Sequence, residues 1–169
     1  LYRPVTTLSF AVDWTISGGS PVWLHLMNAL WHGLATVLFV CVMARWLPPM
    51  GAAAAGLVFG WHPVHVEAVA NLVGRAELLV AAGILGAVLA ARRRWWAAAL
   101  VCAALAMFSK EHGVVVGVVI LLDKWLESVD DRPYPAGLWV ALGILTVGFL
   151  AAWVAFGRLG DTNEAAVFY

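Results

Sequence analysis

His62-Pro63-Val64-His65-Val66-Glu67-Ala68-Val69-Ala70-Asn71-Leu72-Val73-Gly74-Arg75-Ala76-Glu77 puts two His, two Glu, one Arg and one Asn into sixteen residues. The sequence on either side is mostly Ala, Val, Leu, Gly and Trp. Charge beside a membrane is expensive, roughly 2.5–3.5 kcal/mol for an Asp, Lys or Arg at a helix centre on insertion scales, so such residues mark function. Pro63 is a favoured first residue of a helix. A helix starting there places Glu67, Asn71 and Arg75 at i, i+4 and i+8, sharing one polar face. Gly74, read on that same face, would let another backbone or a ligand come close.

Working outward, 63% of the 169 residues are hydrophobic and 12% are charged, with a mean hydropathy of +0.89. Soluble domains are about 45–50% apolar and ~25% charged. The chain therefore reads as an integral membrane protein whose first partner is the lipid bilayer. Its net charge of zero offers nothing to a nucleic acid. Five of the ten Trp (Trp23, Trp46, Trp61, Trp95 and Trp125) sit at segment ends, where amphipathic rings favour the membrane interface. Cys41 and Cys102 lie in apolar runs and read as small core hydrophobes, with no disulfide expected. The chain begins Leu-Tyr-Arg-Pro, with no Met and no signal-peptide pattern, and reads as an internal piece of a longer protein.

The expected architecture is all-α, a polytopic transmembrane helical bundle. Residues 1–22 read as an amphipathic extracytoplasmic loop, closed by the turn signal Gly18-Gly19-Ser20-Pro21. Residues 23–156 read as a transmembrane domain of about six hydrophobic segments, and 157–169 as the start of the next extracytoplasmic loop. The clearest span is 23–44, near the ~20 residues a bilayer needs. Its His25, Asn28 and His32 follow i, i+3, i+7 and predict an interhelical hydrogen-bonding seam. Shorter runs follow, ending near Trp61, Arg92, Ser109 and Asp123, and a polar loop spans 127–135. Six crossings put Arg45, Arg92 to Arg94, Lys124 and Arg132 on one side, cytoplasmic by the positive-inside rule. The opposite side then holds the His62–Glu77 stretch, Ser109–His112 and the tail with Arg158, Asp161 and Glu164. Its positive charges, Arg3, Arg75, Lys110 and Arg158, run against the bias and point to an anionic ligand.

Two charged clusters thus share the outer side. Glu67, Arg75 and Glu77 are expected to meet Lys110, Glu111 and His112. Carboxylates there could orient a hydroxyl, act as a base or hold a divalent cation, the one cofactor this composition leaves open. Arg and Lys suit a phosphate, Arg in bidentate geometry and Lys as a point charge. Blander roles compete: Arg75 and Glu77 as a helix-start pair, Lys110-Glu111 as a solvated turn, Arg92 to Arg94 as a topology anchor. His62 and His65 have the i, i+3 spacing of metal ligands but lack a second ligand cluster, so packing or substrate contact is the better reading. There is no nucleotide-binding Gly loop and no Ser or Cys nucleophile motif.

Tyr2-Arg3-Pro4-Val5-Thr6-Thr7-Leu8-Ser9 resembles a stretch of the transmembrane and tetratricopeptide-repeat O-mannosyltransferase family. So do, in the same order, His25-Leu26-Met27-Asn28 with His32, His62 to Ala70, Val73 to Leu79, and Ser109-Lys110-Glu111-His112-Gly113. The resemblance covers roughly residues 1–125. It implies a C-type glycosyltransferase membrane fold and transfer of a sugar, mannose first, from a polyprenyl-phosphate carrier to Ser/Thr hydroxyls of an acceptor protein. The family's acidic catalytic motif lies upstream of the Tyr-Arg-Pro stretch, and its tetratricopeptide repeats lie downstream of the matched region.

On this resemblance Arg75 and Lys110 are expected to bind phosphate and Glu67 and Glu111 to act as orienting carboxylates. His62 and His65 are expected near the sugar, with Glu77 and Arg3 as second choices. The Ala-, Arg- and Trp-rich composition favours a bacterial inner membrane and an undecaprenyl carrier; in a eukaryote the compartment would be the endoplasmic reticulum. Two other classes compete. A transporter or flippase of a polyprenyl-linked sugar would use the same cavity without bond cleavage. A non-catalytic membrane anchor for a repeat domain would need no outward cations.

Overall fold

The computed structural model describes residues 2–126 and 132–167, with side chains described as far as Phe156. Among the described residues the chain is all-α, with no strand. Eight helices follow in order: α1 (Pro4–Ser17), α2 (Pro21–Met43), α3 (Pro49–Trp61), α4 (Val66–Ala70), α5 (Arg75–Arg92), α6 (Trp96–Ser109), α7 (Val116–Leu126) and α8 (Ala136–Val167). Among the described residues three stretches are long and apolar enough to cross a membrane: Pro21–Met43, Leu72–Arg92 and Ala136–Phe156. α3 and α6 are apolar but shorter. The structure is an all-α helical membrane fold.

Local chemistry explains the element boundaries. Pro4, Pro21 and Pro49 open α1, α2 and α3, where a missing N–H costs nothing. Gly18 and Gly19 adopt φ of 62° and 83° and turn the chain between α1 and α2. The turn expected there is present, but the segment before it is a helix and not a loop. Three of its hydroxyls do not break α1 because they bond within it, Ser9 to the Thr6 carbonyl, Thr15 to Val12 and Ser17 to Asp13. At the other end, the backbone of α8 continues through residues expected to begin a loop, as far as Val167. Residues 157–167 contain no proline and several good helix formers, so nothing interrupts the helical hydrogen bonding. Residues 127–131 of the expected polar loop, and the side chains of Arg158, Asp161 and Glu164, lie outside the described residues.

α5 is the central helix. Half of the residues of its membrane-length stretch are buried, against 17% for α2 and for α8. Its partner is α6, and the seam is made of small residues: Gly83, Ala87 and Ala91 face Ala99, Cys102, Ala103 and Ala106. A Cβ on Gly83 would sit 2.8 Å from the Ala106 nitrogen and 2.9 Å from the Cys102 carbonyl oxygen. Backbones that close give dense dispersion contact where lipid removes the hydrophobic drive. α7 and α8 close the core with Ile120, Leu138, Leu142 and Phe149. Leu26, Leu30, Leu34 and Val37 of α2 and Val140, Ile144 and Val147 of α8 are exposed, as a lipid-facing surface requires. Cys41 is exposed on α2, not in the core, whereas Cys102 packs against Gly86.

The bundle has two distinct ends. At one, Arg92 donates to Asp123 at 2.5 and 2.9 Å and to the Val42 carbonyl at 2.9 Å, beneath the Trp46 ring. This arginine, read as a topology anchor, ties α2, α5 and α7 together. The other end carries α1, the segment from His62 to Gly74 and the turn from Glu111 to Val115. The sorting of charges expected from the sequence is therefore a sorting between the ends of one bundle.

The Gly83 contact generates a test. Gly83→Leu must push α5 and α6 apart, and overpacking of this kind costs roughly 1–3 kcal/mol or more. We expect a lower thermal unfolding midpoint in detergent, and an unchanged midpoint would contradict the close α5–α6 contact.

A charge-lined cleft at one end of the bundle

The segment from His62 to Gly74 is not one helix. His62 turns the chain with ψ 129°, and its Nδ1 accepts a hydrogen bond from the Val64 N–H at 3.2 Å. A 3-10 turn, the short α4, and a second 3-10 turn over Leu72–Gly74 follow. Asn71 ends α4 with ψ 127°, and its side chain accepts from the Val73 N–H at 3.1 Å. Local side-chain caps of this kind compete with helix continuation. Gly74 then lies so near the backbone of Ala68 that a Cβ would collide with it. The close approach expected at Gly74 is real, and the approaching group is Ala68. Glu67, Asn71 and Arg75 consequently do not share one helical face.

Arg75 departs furthest from expectation. It is fully buried. It forms an ion pair with Asp13 of α1, donates through Nε to Asn28 Oδ1 at 2.8 Å and through Nη2 to the Leu24 carbonyl at 3.0 Å. The Phe10 ring covers its guanidinium at 4.1 Å. No face of this side chain is left for a phosphate, and its role is to join α1, α2 and α5. Asn28 is equally buried and donates to the Val69 and Asn71 carbonyls, both at 3.3 Å. His32 Nε2 meets the Gly60 carbonyl at 3.0 Å. The seam expected on α2 thus forms from Asn28 and His32, while His25 is exposed at its edge.

Above this buried layer lies a cleft of about 320 Å³ lined by Arg3, Glu67, Asn71, Gly74, Glu77 and Lys110 together with Val64, Ala68 and Val73. Four of the predicted residues meet there: Arg3, Glu67, Glu77 and Lys110. Glu111 stands behind, bound to Arg3 through contacts of 3.0, 3.1 and 3.3 Å. Lys110 donates to Glu77, whose second oxygen lies 3.0 Å from His112 Nε2. Thr6 of α1 donates to the Ser109 carbonyl at 2.8 Å and pins α1 to the Lys110 turn. Among the described residues Glu67 takes no hydrogen bond or ion pair, whereas Asp13, Glu77, Glu111 and Asp123 are all paired. His62 and His65 stand apart, His65 between His32 at 5.1 Å and Phe59 at 4.5 Å between ring centroids. Among the described residues no three His, Cys, Asp or Glu converge on a metal position.

At the cleft end of the bundle, two of the described groups titrate away from their ordinary values. Burial, with the nearby His32 and His62 rings, lowers His65 below 6.5, so it is neutral at pH 7. Burial pushes the Glu111 carboxyl up, but its own backbone N–H, the Arg3 guanidinium and nearby Lys110 together hold it below 4.5. Asp13 escaped the sequence reading. The signal was an acid inside the apolar stretch Phe10-Ala11-Val12-Asp13-Trp14, seven residues after Thr6 and therefore on the same helical face.

Fold and site define an all-α membrane protein with a charge-lined cleft at one end of its helices. No protein-family model matches the chain, and no solved structure does. Curated relatives do match. Protein O-mannosyl-transferase TMTC3 of Mus musculus is 35% identical over 164 residues, covering 95% of this chain and 15% of the relative. Protein O-mannosyl-transferase F38B6.6 of Caenorhabditis elegans is 33% identical over 130 residues, 72% of this chain and 19% of the relative. Protein O-mannosyl-transferase Tmtc2 of Drosophila melanogaster is 47% identical over 79 residues, 46% of this chain and 8% of the relative. The chain belongs to the family of TMTC-type proteins. It spans less than a fifth of the length of each of these relatives.

Asp13→Ala would leave Arg75 buried without its counter-ion, a loss of about 3–5 kcal/mol. Thermal unfolding should show it, and Asp13→Ala with Arg75→Met should recover much of the loss. The Arg3–Glu111 pair has the sign of a depressed acid. Its stabilisation is present above pH 4.5 and is lost only as pH falls through the lower folded value. The infrared carboxylate band missing in Glu111→Gln should therefore persist in the wild type below pH 4.5.

Proposed function

We propose that this chain is the ligand-binding membrane portion of a glycosyltransferase that moves a sugar, mannose in the first instance, from a polyprenyl-phosphate carrier to Ser/Thr hydroxyls of a protein. The cleft carries this reading: Arg3 and Lys110 reach it against Glu67 and Glu77, a balanced set suited to a ligand with an anionic head and neutral hydroxyls. The relatives' names supply the reaction class. In this reading the helices cross the membrane several times, and the cleft end faces away from the cytoplasm, because Arg45 and Arg92 to Arg94 gather at the opposite end.

Arg3 and Lys110 hold the carrier phosphate. Glu111 occupies the Nε–Nη2 edge of Arg3, leaving Nη1, and Glu77 occupies one of three Lys110 donors. Their carboxylate partners fix both cations before the ligand arrives, so little side-chain entropy is lost on binding. Arg75, buried beneath, takes no part in phosphate binding. Glu67 accepts a hydrogen bond from the acceptor hydroxyl and orients its oxygen. That oxygen bonds to the anomeric carbon as the carbon–oxygen bond to phosphate breaks. The electron pair leaves on phosphate, where Arg3 and Lys110 stabilise it, and the hydroxyl proton passes to a carboxylate base. His62 and His65, which do not line the cleft, are left without a role in phosphate binding.

The test uses the full-length parent protein in detergent with polyprenyl-phosphate-linked radiolabelled mannose and a Ser/Thr-rich acceptor. Lys110→Ala should lower transfer by roughly 10²-fold, the order found when one charge-stabilising donor is removed. Wild-type protein that binds the carrier saturably but transfers nothing would favour a transporter of the carrier-linked sugar. Equal transfer by wild type and Lys110→Ala would remove the phosphate role.

A further inference from the structure

A second cleft adjoins the first. It measures about 470 Å³ and is lined by His25, Val66, Glu67, Ala70, Asn71 and Leu72. Glu67 and Asn71 belong to both clefts. We propose that this second cleft receives the acceptor, a hydroxyl-bearing Ser/Thr peptide segment with small apolar flanks, and that His25 sets acceptor affinity. The proposal rests on the transferase reading and extends it to the acceptor.

The chemistry of the two linings differs. The first cleft carries two fixed cations, Arg3 and Lys110. No Lys or Arg lines the second, where Glu67 is the fixed charge. A phosphate entering there would meet a carboxylate with no cation to offset it, so an anionic ligand is disfavoured. A neutral hydroxyl meets two suitable groups instead, the Glu67 carboxylate, unpartnered among the described residues, as acceptor and the His25 imidazole as donor or acceptor. Val66, Ala70 and Leu72 supply the apolar wall that the flanks of a peptide would cover. The volume falls in the range of ordinary small-ligand sites.

The cleft is also held in shape. Asn28 is buried one turn along α2 from His25, and it bonds the Val69 and Asn71 carbonyls beneath the cleft floor. The Asn71 side chain is held by the Val73 N–H. His25 therefore stands at a fixed distance from the α4 segment that carries Glu67. Because Glu67 lines both clefts, a hydroxyl held on it faces the side on which Arg3 and Lys110 gather. In this arrangement the acceptor hydroxyl and the carrier phosphate approach the anomeric carbon from opposite sides, as a direct displacement needs.

The test uses the full-length parent protein in lipid nanodiscs, with p-benzoylphenylalanine replacing the exposed Val66 as a photo-crosslinker. The probes are a Ser/Thr-rich peptide with Val and Ala flanks and its counterpart with every Ser and Thr replaced by Ala. We expect labelling of the first peptide to exceed that of the second by about tenfold, the usual order for a lost hydrogen bond. His25→Phe should lower that labelling to a similar degree and His25→Gln should retain most of it. In transfer assays on the crosslinker-free protein, His25→Phe should raise the KM for the peptide about tenfold and leave the KM for the carrier-linked sugar unchanged. Transfer with a peptide KM and labelling indifferent to His25 would overturn the acceptor cleft and leave the transferase reading intact. Displacement of the peptide label by polyprenyl phosphate alone would overturn it too. The expected labelling pattern in a protein that transfers no sugar would support the peptide cleft and overturn the transferase reading.

Discussion

The buried ion pair between Arg75 and Asp13 is the constraint on which the cleft end of this protein depends. Taking two charges out of water costs several kcal/mol each, and their mutual attraction offsets this only when the remaining donors and acceptors are satisfied. Here Asn28, the Leu24 carbonyl and the Phe10 face complete the shell around Arg75. The partners come from α1 and α2, and the arginine opens α5. Any arrangement that moves α1 away strands a cation inside the bundle. The pair thereby locks the helix that presents Arg3 and Thr6 against the turn that presents Lys110 and Glu111.

A second layer of ion pairs sits on this one with a different consequence. Arg3 with Glu111, and Lys110 and His112 with Glu77, are only partly buried. Exposed pairs contribute little to stability, so their effect is geometric. They aim cations whose free side chains would otherwise sample many rotamers. The buried pair fixes elements, and the exposed pairs fix the groups those elements carry. Glu67 belongs to neither layer and remains available at the ridge between two clefts of different charge.

Much of the site was legible as a set of residues and little of it as an arrangement. Arg3, Glu67, Glu77 and Lys110 stand out because charge is scarce in an apolar chain, and the structure brings these four together. Arg75 stands out for the same reason but is turned inward, since scarcity does not tell an exposed charge from a buried one. Asp13 passed unnoticed because its partner is 62 residues away, and no local pattern links them. The Ser- and Thr-rich start read as a loop because these residues favour turns in general. In α1 their hydroxyls bond back to helix carbonyls, a choice that becomes worthwhile once Thr6 and Asp13 are held by α5 and α6.

What the amino-acid order determined by itself is what depends on composition and near neighbours. Apolar runs require a bilayer, Pro4, Pro21 and Pro49 start helices, Gly18 and Gly19 turn the chain, and clustered arginines mark one end. Tertiary structure alone decided which charges are buried and which are presented. It tied the Val69 and Asn71 carbonyls to Asn28, turned Arg75 onto Asp13, and placed Glu67 between two clefts. The physical reason is range. Helix starts and turns are settled by atoms a few residues apart, whereas the cost of a buried charge is settled by whichever distant group arrives to pair with it.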